Sequence, residues 1–364
     1  MHQLFAPTPI YIERGITCSP LFFATLKRTK REYVLLTDEQ VQKLWVNDLK
    51  RVWEQALGCS LLLLTFPAGE NSKSRETKQR LENQLLQRGL GRDLCLIAVG
   101  GGVVLDLVGF LAATYQRSTP VIYIPTTLLA MVDGVIGGKN GVNTPWSKNG
   151  IGTFAYPESS WIDERFLSTL AYRELLCGWM ECAKKGLVAD SSLFLALEEN
   201  PCNFESLIIH ACSLKAKITE KDPRDHGLRQ ILNFGHTIGH ALERAWYYRI
   251  PHGIAVGWGI LGEAVLSLCW NSLPLGQWER ILRLFSRWDF FSHSPLLPEG
   301  REFSSALFGD KKRRGRHICT VLLEQIGKAL EKEGAYSFSF PLIAYQKSFS
   351  FLLYLQERWL SHLS

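Results

Sequence analysis

A chain of 364 residues, 46% apolar and 21% charged, has too much hydrophobic side chain for disorder and too much length for one ordinary core, so two domains are expected. The formal net charge of +6 is modest, and the basic residues gather only in KKRRGR at 311–316, which reads as a solvated loop or an anion site and serves an acidic small molecule as well as nucleic acid. Nine cysteines without a CxxC pair fit reduced thiols in the cytoplasm; the apolar runs fall short of the ~20 residues of a membrane span, and MHQLFAPTPIYIERG lacks the order of a secretion signal.

The first half alternates strand and helix signals. YVLLTD at 33–38 reads as a buried strand, 39–57 as an amphipathic helix, SLLLLTF at 60–66 as a second strand, 75–89 as a helix and LCLIAVG at 94–100 as a third strand. VIYIP at 121–125 and the weaker SSWID at 159–163 follow. Apolar strands separated by helical patterns predict a Rossmann-like α/β domain over 1–165, its sheet mostly parallel and covered on both faces. Beyond 165 the strand signals almost disappear. ELLCGWMECAKKGLVA, ESLIIHACSLKAKITEKD, LRQILNFGHTIGHALERAW, IAVGWGILGEAVLSLCW and QWERILRLFSRW all carry helical periodicity. An all-helical domain over 166–364 is therefore expected, with the site in the cleft between the two. The tail, QKSFSFLLYLQERWLSHLS, reads as a terminal amphipathic helix.

Three stretches of the first domain could hold a ligand. In AVGGGVVLDLVGF, 98–110, three glycines turn the third strand into a helix. Glycine lets the backbone approach a ligand closely, and the leading N–H groups of the helix then face an anion such as a pyrophosphate. Thr126 and Thr127 repeat the device after the next strand, where their hydroxyls can cap a helix and meet the same ligand. Two such turns at neighbouring strand ends suit a dinucleotide, and PAGENSKS at 67–74 adds Gly69, Glu70 and Lys73 at the same edge. MVDGVIGGKNGVNTPWSKNGIG, 131–152, holds Asp133, Lys139, Lys148 and Asn149 among its glycines. It reads as a mobile loop able to wrap a charged substrate, its lysines meeting a phosphate or carboxylate; plain solvation of those lysines is the competing reading.

The helical domain supplies candidate metal ligands. LNFGHTIGHALE at 232–243 sets His236 and His240 four apart, on one helix face. Thr237 stands where the HExxH motif has its general base, so this is not that protease pattern. Glu181 lies in the apolar GWMECAKKG, where a carboxylate is costly to bury without a cation or a donor, and His252 follows a proline in RIPHGIAVGWG. A catalytic zinc takes three such ligands and keeps a position open. Spacing leaves two sets, Glu181/His236/His240 and Glu181/His236/His252, beside a core helix whose histidines are satisfied by backbone or water.

Ten segments in one order, PAGE, GGGVVLD, GFLAATYQR, IPTTLLAMVD, GGKNGVN, SKNGIG, MECAKKGLV, GLRQILNFGHTIGHALE, PHGIAVG and DKK, resemble the 3-dehydroquinate synthase family of sugar phosphate cyclases. The resemblance implies NAD⁺ on the α/β domain and a divalent metal, zinc or alternatively cobalt, on Glu181, His236 and His252. His240 resembles the residue that faces the substrate phosphate and helps move protons, while Asp133 and Lys184 correspond to groups contacting the hydroxyls near the metal. Lys215 and Arg229 match the carboxylate-binding pair. Lys139, Asn149, Asn233 and Lys311 match phosphate contacts, with Arg117 reaching in from the other subunit of a homodimer. The NAD segments correspond to Ala68, Gly69, Glu70, Asn71, Ser72 and Lys73; to Gly102, Val103, Val104, Leu105 and Asp106; to Thr126, Thr127, Lys139 and Lys148; and to Phe166, Leu167, Ser168 and Thr169.

The implied reaction turns 3-deoxy-D-arabino-heptulosonate 7-phosphate into 3-dehydroquinate and phosphate, a step of the shikimate pathway toward chorismate and the aromatic amino acids. It runs by transient NAD-dependent oxidation, phosphate elimination, reduction and intramolecular aldol closure. So small and highly charged an acid needs a ring of Lys and Arg. The chain departs from the family pattern at Leu105 (usually glycine), Gly134 and Val135 (two serines), Asn140 (threonine), Asp225 (often Glu), Lys185 (tyrosine) and Ile254 (Glu). None is a metal ligand or a basic substrate contact. A related cyclase or a metal-dependent polyol dehydrogenase is the alternative enzyme, but an uncharged sugar would not need both Lys215 and Arg229. A nucleic-acid binder would show salt-sensitive binding and no metal. The expected partner is a small sugar-acid phosphate, with neither nucleic acid nor membrane.

Overall fold

The computed structural model describes residues 1–29, 31–308, 313–314 and 317–361; Lys311, expected on the substrate phosphate, lies outside them. The chain forms two compact units, Met1–Leu170 with Phe204–Ala216, and Ala171–Asn203 with Lys217–Ser364.

In the first unit β1 (His2–Phe5) and β2 (Pro9–Ile12) are followed by α1 (Pro20–Thr29), β3 (Glu32–Asp38) and the short α2 (Glu39–Val41), which runs through a π-helical turn into α3 (Asn47–Leu57). Then come β4 (Leu62–Phe66), α4 (Arg75–Gln87), β5 (Leu94–Gly100), α5 (Gly102–Thr114), β6 (Val121–Pro125), β7 (Lys139–Thr144), β8 (Ser147–Phe154) and β9 (Ser159–Ile162). Seven strands make one sheet in the order β1-β2-β9-β6-β5-β3-β4, parallel except where β1 meets β2. The interior strand β5 is buried along its whole length, as a strand covered on both faces must be. From β3 the chain steps outward to β4 and then returns to the other side of β3 as β5, so the order reverses there. Carboxyl ends of strands at such a reversal are where open α/β sheets take ligands.

The stretch 131–152, expected as a mobile loop, is structured. A π-helical turn, Ala130–Gly134, leads to the antiparallel pair β7 and β8. Gly141 lies opposite Gly152 in that pair, and a Cβ on Gly152 would stand 1.9 Å from the Asn140 carbonyl oxygen. These glycines serve close strand approach, which composition alone reads as looseness.

The second unit is helical: α6 (Tyr172–Ala189), α7 (Ser191–Glu199), the end of α8 (Phe204–Lys221), α9 (His236–Ala245), α10 (His252–Cys269), α11 (Leu275–Arg287), α12 (Gly300–Phe308) and, after short strands, α13 (Leu342–Ser361). The strands β10 (Arg313–Arg314), β11 (His317–Thr320), β12 (Leu323–Gln325), β13 (Lys328–Ala329) and β14 (Phe338–Pro341) are too brief to show alternation in sequence. Among the described residues α10 is long and apolar enough to cross a membrane; it is instead the core helix of this unit, packed on α6, α9 and α13. The segment 228–246, expected as one helix, breaks in the middle. A 3-10 turn, Leu228–Asn233, ends at the extended Phe234, and Gly235 at φ 79° starts α9. That break makes His236 the first residue of its helix. No disulfide forms among the nine cysteines, all within the described residues.

Candidate active site and metal centre

In the first unit the glycine turn at 100–102 carries β5 into α5. The α5 N-terminus has no side-chain cap and no acidic residue in its first turn, which leaves its leading N–H groups to a ligand or water. A Cβ on Gly102 would meet nothing within 4 Å, so space lies over the turn. Val104 and Leu105 point into the core and can offer a ligand backbone only. Thr126 N donates to Gly100 O at 3.0 Å, tying the two turns together, and Thr127 Oγ1 accepts from Ala130 N at 3.1 Å. Ala68, Gly69 and Asn71 are exposed beside them.

Lys73 is buried, and its Nζ donates to the side chains of Asp106 and Asn149. Its carbonyl accepts from Asn143 N at 2.8 Å, and Asn143 Nδ2 donates to Glu70 Oε1 at 2.8 Å. The 67–74 turn, α5 and the β7–β8 hairpin thus share one polar cluster. Burial raises the Asp106 carboxyl above its ordinary value against the pull of Lys73. Asn149, expected on phosphate, belongs to this cluster. Lys215, on the part of α8 that packs with the first unit, donates to Asp133 O at 2.7 Å and pairs with Asp133 Oδ2 at 2.8 Å. In 166–169, Phe166 and Leu167 are buried, Ser168 and Thr169 exposed, and Thr169 Oγ1 accepts from Trp45 Nε1 at 2.8 Å. Lys139 opens β7 and is exposed, and Lys148 is half-buried on β8. Arg117 is exposed without a hydrogen bond or ion pair among the described residues, in a run of three left-handed residues, Gln116, Arg117 and Ser118 at φ 49°, 63° and 105°.

Two departures from the family pattern adjoin each other. A Cβ added at Gly134 would sit 3.6 Å from Leu105 Cδ1, so the large residue at 105 fills space beside the small one at 134. A third, Asn140, is a buried polar hub: it accepts from Tyr123 Oη at 2.7 Å and donates to Ala155 O at 2.7 Å and Gly138 O at 3.1 Å.

In the second unit the metal candidates converge. Glu181 on α6 is 1% exposed, and Lys184, one turn on, is ion-paired with its Oε2. His236 Nε2 lies 3.7 Å and His252 Nε2 3.8 Å from Glu181 Oε1. Ligands about 2.0–2.1 Å from a tetrahedral zinc stand roughly 3.3–3.5 Å apart, so small adjustments would bring these three onto one ion. The remaining ring nitrogens are fixed by groups that can only accept. His236 Nδ1 is 3.2 Å from Phe234 O and His252 Nδ1 is 3.1 Å from Glu243 Oε1, which puts each proton on Nδ1 and turns each Nε2 lone pair toward Glu181. The donor set fits a divalent cation. His240, its ring 5.2 Å from that of His236, groups instead with Glu243 and His252. Glu243 is already bonded to His252 Nδ1, so it serves as an orienting group and the Glu181 set is the better ligand set.

Lys185 is fully buried, 3.5 Å from the Glu181 carbonyl oxygen, and Ile254 is fully buried in α10. Arg229 is buried and donates from Nη1 to Pro223 O at 2.8 Å, while the half-buried Asn233 ends the 3-10 turn before α9. Two residues of this centre went unread in the sequence. Glu243 orients His252, and Glu263 on α10 accepts from the backbone at the start of α9. Glu263 is a carboxylate in an apolar run, the same signal that exposes Glu181, whereas Glu243 stands beside Arg244 and carries no such mark.

Family models of the 3-dehydroquinate synthase N-terminal and C-terminal regions match residues 63–177 and 178–313. The 3-dehydroquinate synthase of Chlamydia muridarum (strain MoPn / Nigg) is 38% identical over 349 residues, covering 91% of this chain and 92% of that protein. Two solved structures share the fold. One is a 2-deoxy-scyllo-inosose synthase complexed with carbaglucose-6-phosphate, NAD⁺ and Co²⁺, with a TM-score of 0.85 and 23% identity over 95% of this chain and 98% of that one. The other is the 2-epi-5-epi-valiolone synthase of Streptomyces hygroscopicus subsp. jinggangensis 5008 with NAD⁺ and Zn²⁺ bound, with a TM-score of 0.83 and 25% identity over 97% and 98%. The chain belongs to the 3-dehydroquinate synthase family.

Proposed function

We propose that this chain, an enzyme of the 3-dehydroquinate synthase family, converts 3-deoxy-D-arabino-heptulosonate 7-phosphate into 3-dehydroquinate and phosphate using NAD⁺ and zinc. Residues 1–165 bind the dinucleotide and 166–364 carry most of the metal and substrate groups. The observation that carries the reading is the convergence on one buried carboxylate, Glu181, of two imidazole Nε2 atoms, 3.7 and 3.8 Å from its Oε1. Two imidazole nitrogens and a carboxylate oxygen gathered in this way are a donor set that a catalytic zinc takes. When bound, the metal supplies a Lewis acid that lowers the pKa of a coordinated hydroxyl, and NAD⁺ supplies a hydride acceptor restored in every turnover.

The protein's own groups do the rest. Lys184 sits beside Glu181 and, with Asp133, orients the hydroxyls to be oxidised. Lys215, held at Asp133, and Arg229 take the substrate carboxylate. Lys139, Asn149, Asn233 and Lys311 take the phosphate, with Arg117 supplied across a cytoplasmic homodimer. His240 holds and passes the proton exchanged near the leaving phosphate. The segments 68–73, 102–106, 126–127 and 166–169, with Lys139 and Lys148, hold the dinucleotide, the leading N–H groups of α5 facing its pyrophosphate. Metal analysis of the purified protein and of Glu181→Gln tests the reading. The parent retains about one zinc per chain, and the folded variant loses both zinc and phosphate release. A folded Glu181→Gln with the parent's zinc content overturns it.

A further inference from the structure

We infer that Glu263 is a positioning residue for the metal centre, its carboxylate clamping the first turn of α9 and so fixing where His236 stands. The inference rests on the reading of Glu181, His236 and His252 as metal ligands.

Glu263 is 0% exposed on α10. Its Oε2 accepts from Gly235 N at 2.8 Å, and its Oε1 accepts from Thr237 N at 2.9 Å and Ile238 N at 3.2 Å. These amides flank His236 in the chain and belong to the group that a helix start leaves without intrahelical partners. Gly235 has no side chain with which to cap them. A carboxylate brought from another helix takes that place, and its charge suits the positive end of the α9 dipole.

The same helix that holds Glu263 begins with His252. One rod therefore presents one ligand directly and grips the turn that presents the other. The reverse connection exists as well, since Glu243 on α9 bonds His252 at the start of α10. Two carboxylates thus cross-link the pair in both directions and set its register. Metal–ligand bonds hold to within about 0.2 Å of their standard lengths, so a slack first turn would leave His236 without a fixed bonding position while leaving α9 helical.

A cap that merely stabilises the fold predicts something else: lower stability with unchanged metal affinity in the folded protein. The two are separable in the zinc-loaded enzyme. Glu263→Gln keeps the shape but turns an amide NH₂ toward backbone donors. Leu266→Ala, at a buried position on the same helix, is the control for loss of packing. The measurements are the zinc dissociation constant by competition with a chromophoric chelator, the absorption bands of the Co²⁺-substituted protein, and kcat and KM.

Glu263→Gln is expected to bind zinc about 10–100-fold more weakly, to shift the cobalt bands and to lower kcat with KM held. Leu266→Ala is expected to melt earlier with zinc affinity within about twofold of the parent. If Glu263→Gln does not fold, Glu263→Asp, which withdraws the carboxylate by one methylene, carries the same test. A parent that binds no zinc overturns both the metal reading and this inference. A parent that binds zinc, beside a Glu263 variant that binds it equally or a Leu266→Ala that weakens it as much, overturns the inference alone.

Discussion

Replacing Gly259 by alanine places a methyl group where two helices touch. The new Cβ would lie 1.8 Å from Gly235 O and 2.8 Å from both Gly235 C and Gly239 N, all backbone atoms of α9 and its entry. Contacts below 3.0 Å are essentially never seen for a real Cβ, so α10 and the start of α9 must part by more than an ångström. No rotamer change can relieve a clash with backbone. Overpacking of this kind costs about 1–3 kcal/mol, and a rigid backbone contact belongs at the upper end. A unit of this size loses about 2–4 °C per kcal/mol, which gives a fall of roughly 6–12 °C in melting temperature. The movement also separates His236 from His252 by more than a metal site tolerates, so zinc affinity should fall more than about tenfold. Scanning calorimetry and chelator competition on the same preparation read both effects. A Gly259→Ala protein melting within about 2 °C of the parent and binding zinc equally well would refute the packing argument.

Glu243→Gln should weaken zinc binding about 10–100-fold with little change in melting temperature, because the amide can present an N–H to His252 Nδ1 and favour the wrong tautomer; unchanged affinity would remove Glu243 from the centre. The glycine turn divides into packing and ligand positions. Gly100→Ala, whose Cβ would meet Val104 Cγ2 at 2.3 Å, should destabilise by about 1–3 kcal/mol, whereas Gly102→Val, open within 4 Å at Cβ, should melt like the parent and bind NAD⁺ at least about tenfold more weakly. Cofactor titration of Gly102→Val that matches the parent would move the pyrophosphate elsewhere. Asp163 gives a pH prediction. Burial pushes its carboxyl up, but Arg165, Gly15 N and Thr17 Oγ1 outweigh burial and hold it below the ordinary carboxylate range. A depressed folded value means this stability is complete above the unfolded pKa of about 3.9 and is lost as pH falls through the folded value. Asp163→Asn should therefore melt lower at neutral pH and lose less on acidification than the parent; parallel melting curves down to about pH 2 would contradict that assignment.

Five strands of the sheet were legible, most of them as apolar runs bounded by turns, and β5, LCLIAVG, is buried at every position; β1 and β2, four residues each at one edge of the sheet, are too short to stand out. The tail could be read as a helix, and α13 is one, but not what it does: Gln356 holds Leu297 N and Pro295 O, contacts with partners far away in sequence. The β7–β8 hairpin was hidden because Gly141 and Gly152 mean close approach only once the strands are paired. The metal set was half legible. Glu181 is marked by a charge in an apolar helix, but the choice between His240 and His252 depends on tertiary placement. Among the described residues Glu181, His236 and His252 come together, and no spacing along the chain registers that. Glu263 is a tertiary cap, supplied from 25 or more residues away, and local capping rules cannot find it.

The measurement that bears most directly on the catalytic reading is phosphate release from the purified protein given 3-deoxy-D-arabino-heptulosonate 7-phosphate, NAD⁺ and Zn²⁺, with and without a chelator. Release that stops with the chelator, returns with zinc and leaves no net NADH is the predicted result. A folded, zinc-loaded protein that releases no phosphate from this substrate would contradict it.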